Sequence, residues 1–115
     1  MFEDTFDKIF EKNQEIKCIG IWGKDGLELE KKGFSPYAID IELMGAQLAD
    51  AFSRFESVTL SSLNHSLRVF YPEYILLVFS LTADYFLVIV SERTIIPGKI
   101  DFYVKLYKDK FISAF

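Results

Sequence analysis

The chain has only one cysteine and one histidine among its 115 residues. Cys18 by itself forms no intramolecular disulfide, and Cys18 with His65 falls short of the ligand set that a zinc site takes. A Ser-His-Asp arrangement would depend wholly on His65, which sits at an expected strand start. Cys18 lies inside an apolar run with no histidine near it in sequence, which reads as an inert buried thiol. Positive charge is also scarce. The formal net charge is −4, whereas a nucleic-acid binder carries a basic stripe. No Gly-x-x-x-x-Gly-Lys-Ser/Thr string is present to cradle a phosphate, and no Gly-x-Gly-x-x-Gly either. Gly20, Gly23 and Gly26 stand around a strand end, which is turn chemistry. Glu28 and Glu30 share one face of an expected edge strand, where carboxylates are usually solvated. No apolar run reaches the roughly 20 residues that a membrane-spanning helix needs. The start, Phe2-Glu3-Asp4, lacks the basic region of a secretion signal. The expectation is a non-enzymatic cytoplasmic protein without cofactor or metal, and without nucleic-acid binding or membrane insertion.

What the chain does have is apolar side chains. Half of the residues are hydrophobic and 12 are Phe, more than a small single domain spanning 1–115 usually hides, so a surface buried against another chain is expected. The densest stretch is Glu73 to Glu92. Its two runs, Tyr74–Phe79 and Tyr85–Val90, are rich in β-branched and aromatic residues and are separated by Leu81-Thr82-Ala83-Asp84. That is a β-hairpin. Neither run alternates apolar with polar, so both faces of these strands must be covered.

The rest follows in order. Phe2, Phe6, Ile9 and Phe10 form a one-sided helical stripe over residues 2–13. This helix is expected to lie on a sheet and not on a membrane, since its acidic polar face lacks lysines. Ile16–Trp22 reads as a central strand, with Cys18, Gly20 and Trp22 on one face and Ile19 and Ile21 on the other. Lys24-Asp25-Gly26 turns the chain into an edge strand, Leu27–Glu30, with one dry side, ended by Lys31 and Lys32. Ser35 is the expected N-cap of a long helix, with Pro36 at its first position and its end near Phe55. Tyr37, Ile41, Met44, Leu48, Phe52 and Phe55 make a bulky stripe suited to the sheet. Beside it run Ala38, Gly45, Ala46, Ala49 and Ser53, all small. A glycine inside a helix costs about 1 kcal/mol against alanine, so a close neighbour is implied. It is either the protein's own sheet or, as we read it, the helix of a second copy across a two-fold axis. After a Ser-rich loop over 56–64, His65–Tyr71 reads as a strand, then comes the hairpin. Pro97 opens a last helix, with Ile100, Tyr103, Val104, Tyr107, Phe111 and Phe115 on one side. The expected fold class is α+β, in three α/β/α layers, with a five-stranded antiparallel sheet and the order α-β-β-α-β-β-β-α.

Ile19-Gly20-Ile21-Trp22-Gly23-Lys24-Asp25-Gly26-Leu27, the hairpin Glu73–Arg93 with Asp84-Tyr85-Phe86-Leu87-Val88-Ile89-Val90, and the junction Thr94–Tyr107 resemble the Roadblock family of dynein light chains and the bacterial MglB-type regulators of small GTPases. Where many bacterial members carry an Asn-Leu-Gly-containing segment, this chain reads Ile95-Ile96-Pro97-Gly98 and keeps only the glycine. The resemblance implies a Roadblock/longin-type fold and a homodimer in which middle helices pack antiparallel and the sheets join through the strand before the hairpin. It assigns the dimer interface to Ala38, Glu42, Gly45, Ala46, Ala49 and Ser53, with Ser66, Leu67, Arg68, Val69 and Phe70 at the sheet edge. It further implies a small Ras-like GTPase as partner, whose hydrolysis an MglB-type dimer speeds without an arginine finger. Ile39, Leu43, Gln47, Asp50 and Arg54 are the expected partner-facing residues. The alternatives are a scaffold subunit without effect on GTP turnover, or a small-molecule sensor with a cavity lined by Trp22, Phe52 or Tyr85. Trp22 itself is expected in the core.

Overall fold

A computed structural model describes residues 1–57 and 66–115. Its elements are α1 (Glu3–Lys12), β1 (Ile16–Gly23), β2 (Glu28–Gly33), α2 (Ile41–Glu56), β3 (Ser66–Phe70), β4 (Tyr74–Ser80), β5 (Tyr85–Glu92) and α3 (Pro97–Ser113). The strands form one antiparallel sheet in the order β2-β1-β5-β4-β3. The near-continuous apolar runs thus occupy β1, β5 and β4, the three interior positions, where both faces are dry. Thr82 closes the β4–β5 hairpin, its hydroxyl oxygen accepting from the Asp84 and Tyr85 amides.

Alternation splits these strands between two cores. Ile19, Ile21, Ile75, Leu77, Leu87 and Ile89 pack under α1 and α3, together with Phe2, Phe6, Ile9, Ile100, Val104 and Phe111. Cys18, Trp22, Leu76, Val78, Phe86, Val88 and Val90 pack under Met44, Leu48 and Phe52 of α2. A bulge between Ile16 and Cys18 breaks the period of two, so Ile16 joins the α1/α3 core although it is two residues from Cys18. The result is the expected three-layer α/β/α arrangement.

Five local readings need correction. Helix α2 begins at Ile41, not at Pro36. Its N-cap is Asp40, whose carboxylate accepts from the Leu43 amide at 3.0 Å. The Ser35 hydroxyl instead closes a local turn by accepting from the Tyr37 amide. The competing force is tertiary: the Tyr37 ring stacks on Tyr74 at 4.7 Å and holds 36–39 across the end of the sheet. Strand β2 runs on through Lys31 and Lys32, because β1 continues beside it and Lys32 pairs with Asp7 and Glu3 of α1. Leu27 and Leu29, expected on the dry side of this strand, are exposed, and a register shift opposite them, between Ile21 and Trp22, breaks the alternation. Phe55 is likewise exposed, at the last turn of α2. The strand read as His65–Tyr71 is Ser66–Phe70; His65 and most of the 56–64 loop lie outside the described residues.

Candidate interaction surface

Trp22 is the last large side chain of β1 and is only 1% exposed. Its indole stands in a slot between two glycines. A Cβ on Gly20, two residues back on the same face, would lie 2.6 Å from the ring. A Cβ on Gly45 of α2 would lie 2.5 Å from Cδ1 and 2.6 Å from Nε1. Real Cβ atoms do not come that close, so both positions lack a side chain because the ring needs the space. This corrects the reading of the small-residue seam. Gly45 serves the protein's own tryptophan, and Ala49 is buried against the same core; neither is available to a second chain. Asp25-Gly26, where Gly26 takes φ +88°, brings the β1–β2 turn against the helix beside Ala46.

Apart from Phe55 in the last turn, what remains outward on α2 is one exposed arc: Glu42, Leu43, Ala46, Gln47, Asp50, Ser53 and Arg54. It has two flanks. Glu42 and Ala46 border a cleft of ≈ 480 Å³ against Trp22, Asp25 and Leu27 of the β1–β2 turn. Leu43 and Gln47, with Ile39 from the preceding segment, border a groove of ≈ 250 Å³ against Val69, Tyr71 and Tyr74. Ala38 also borders that groove. The residues assigned to pairing and those assigned to a partner are therefore the two halves of a single surface. Asp50 and Arg54 form an ion pair of 2.9 Å along the arc, an exposed i,i+4 pair that contributes at most about 0.5 kcal/mol. Arg54 is engaged within its own helix.

At the sheet edge, β3 is hydrogen-bonded to β4 and, among the described residues, ends the sheet. Leu67 and Val69 turn half-buried toward α2. Ser66, Arg68 and Phe70 face the α3 side, where Arg68 pairs with Asp101 and the Arg93 guanidinium lies 5.2 Å over the Phe70 ring. Of the edge residues, Val69 shares a groove with α2, which Leu43 and Gln47 also line. The periodicity of α2 could have grouped Leu43 and Gln47; only the fold shows Val69 beside them.

Residues named for chemistry do not converge. Among the described residues no three His, Cys, Asp or Glu side chains are placed to hold a metal ion, and no helix is long and apolar enough to cross a membrane. Trp22, Phe52 and Tyr85 do not share a cavity. Trp22 borders the cleft beside Ala46, Phe52 packs on Phe86 at 5.2 Å inside the core, and Tyr85 stacks on Phe115 at 4.6 Å on the opposite face. Burial pushes the Cys18 thiol up from 9.0 to about 11, against a smaller opposing pull from the Lys31 charge. The native thiol is accordingly expected to resist a disulfide reagent at neutral pH and to react on unfolding. The sign for stability follows. The unfolded thiol ionises above about 9 while the folded one keeps its proton to about 11, so folding weakens as pH rises through that window. The loss is about 2–3 kcal/mol. A Cys18→Ala protein, compared by urea denaturation across this window, should lack that part of the decline.

Comparison with solved structures places the architecture. The chain aligns with a Roadblock/LC7 domain from Streptomyces avermitilis at TM-score 0.78 and 12% identity, over 94% of this chain and 92% of that one. It aligns with MglB from Myxococcus xanthus at TM-score 0.77 and 13% identity, over 97% and 94%. Profilin IB from Acanthamoeba castellanii follows at TM-score 0.64 and 21% identity, over 94% of each. No protein-family model matches the chain, and no curated protein matches it by sequence. The fold is that of Roadblock/LC7 domains.

Proposed function

We propose that this protein is a non-catalytic cytoplasmic regulator of the MglB type. Two copies pair through the exposed arc of α2 and the open edge at β3, and the paired surface binds a small Ras-like GTPase and modulates its nucleotide cycle. The observation that carries this reading is the continuous surface, uncovered among the described residues, that runs from Ala46 and Leu43 across the groove to Val69. It joins an exposed leucine and a small outward residue to a strand that, among the described residues, is the last of the sheet, the combination that an isologous two-fold contact needs. Within it, Glu42, Ala46, Ser53, Leu43 and Gln47 are the proposed α2 contacts, and Ser66–Phe70 the proposed strand contact. Gly45 and Ala49 drop out of the assignment.

Light scattering on a gel-filtration column should return twice the chain mass. Leu43→Asp combined with Ala46→Arg, both at exposed positions, should return the monomer mass with helix and sheet content unchanged. A wild-type monomer at micromolar concentration would remove the pairing claim. For the second half of the proposal, GTP turnover by a Ras-like GTPase from the same organism is measured with and without the paired protein. Binding with unaltered turnover would make the protein a scaffold and not a regulator.

A further inference from the structure

Helix α3 buries Ile100, Val104 and Phe111 and turns its other side outward. On that outward strip Phe102 is 60% exposed and Leu106 56%. One turn apart, they share one exposed face of the helix. Around them lie Lys99, Lys105 and Lys110, all exposed, and across the α1–α3 junction Lys8. Lys8 and Lys110 approach the Tyr107 ring together, at 5.9 and 5.8 Å from its centroid. Lys8, within hydrogen-bonding reach, holds Lys110 below the usual lysine range. None of these four lysines makes an ion pair with a carboxylate among the described residues, although the chain as a whole is acidic. Of the acidic residues of α3, Asp101 is engaged by Arg68 and Asp109 alone shares the outward strip.

From this juxtaposition we infer that the outward face of α3, with Lys8 beside it, docks peripherally on an anionic lipid surface, Phe102 and Leu106 entering the headgroup boundary while Lys8, Lys99, Lys105 and Lys110 meet lipid phosphates. Charge complementarity singles out an anionic occupant, and exposed apolar side chains set among lysines fit the bilayer interface. A headgroup layer yields to such apolar side chains and lets lysines reach its phosphates. The contact is peripheral and spans nothing. It goes beyond the pairing proposal and does not rest on it, since α3 lies on the layer opposite α2.

The test is sedimentation of the full chain with vesicles of phosphatidylcholine, alone or mixed with phosphatidylglycerol, at low and high salt. Pelleting is expected with the mixed vesicles only, and to be lost at high salt. Lys99→Glu with Lys110→Glu, and separately Phe102→Ser with Leu106→Ser, should each weaken it about tenfold or more. As an independent readout, Phe102→Trp should shift its fluorescence to the blue on adding the mixed vesicles, over a constant background from buried Trp22. No pelleting with anionic vesicles overturns the inference, as does pelleting that neither double variant reduces. Binding to soluble poly-glutamate with no response to vesicles overturns it in favour of an acidic protein surface.

Discussion

Trp22→Ala is expected to lower stability by about 3–5 kcal/mol, the range for deleting a buried large aromatic side chain. That is a large share of the roughly 5–15 kcal/mol holding a domain of this size together. The indole is 1% exposed and joins β1 to α2 through two positions where no side chain fits. Its partner substitution is more informative. Gly45→Ala brings two opposed effects. Alanine in mid-helix gains about 1 kcal/mol over glycine, but its Cβ would sit 2.5 Å from the ring, an overpacking that costs about 1–3 kcal/mol. With Trp22 present the change should therefore destabilise or be neutral. In the Trp22→Ala background only the Gly26 carbonyl oxygen, 3.3 Å away, still crowds the site, and Gly45→Ala should stabilise by up to about 1 kcal/mol. Urea denaturation of the four proteins closes the cycle. The same loss in both backgrounds would show that the glycine answers to something other than the tryptophan. If that something were a second copy, the loss would depend on protein concentration.

Phe111→Ala should cost a similar 3–5 kcal/mol, for a different structural reason. Phe111, fully buried near the end of α3, lies 6.3 Å from the Phe2 ring and 5.9 Å from Phe6. These rings are the seam by which α1 is held to α3. Truncating Phe111 should loosen α1 first, so amide hydrogen exchange in Glu3–Lys12 should accelerate more than in β1, β5 and β4. Exchange rising first in the central strands would mean that α1 is not the weaker unit. Phe102→Ala on the same helix makes the contrast. That ring is 60% exposed, and its loss should change stability by no more than about 0.5 kcal/mol. Two phenylalanines on one helix would then differ several-fold in effect.

Layers, strand order along the chain and the hairpin were legible in the residues because burial on both faces removes polar positions from a strand. Tyr74–Phe79 and Tyr85–Val90 could only be interior strands. Pro97 marked the start of α3 because its fixed φ and missing amide suit a first helical position. The start of α2 was not legible. Ser35-Pro36 and Asp40 are both acceptable openings, and the stacking of Tyr37 on Tyr74, far apart in the chain, selects the second.

By itself, then, the sequence determined which elements form and which of their faces are apolar, since alternation, helical spacing and turn chemistry are local properties of the chain. Only the tertiary structure decided what each face meets. It spent Gly45 on Trp22 and not on a second copy, left Ala46 and Leu43 outward beside Val69, and turned Phe102 and Leu106 to solvent among exposed lysines. The physical reason is that a small or apolar residue announces close packing without naming its partner, and the partner is fixed only when distant strands and helices come together.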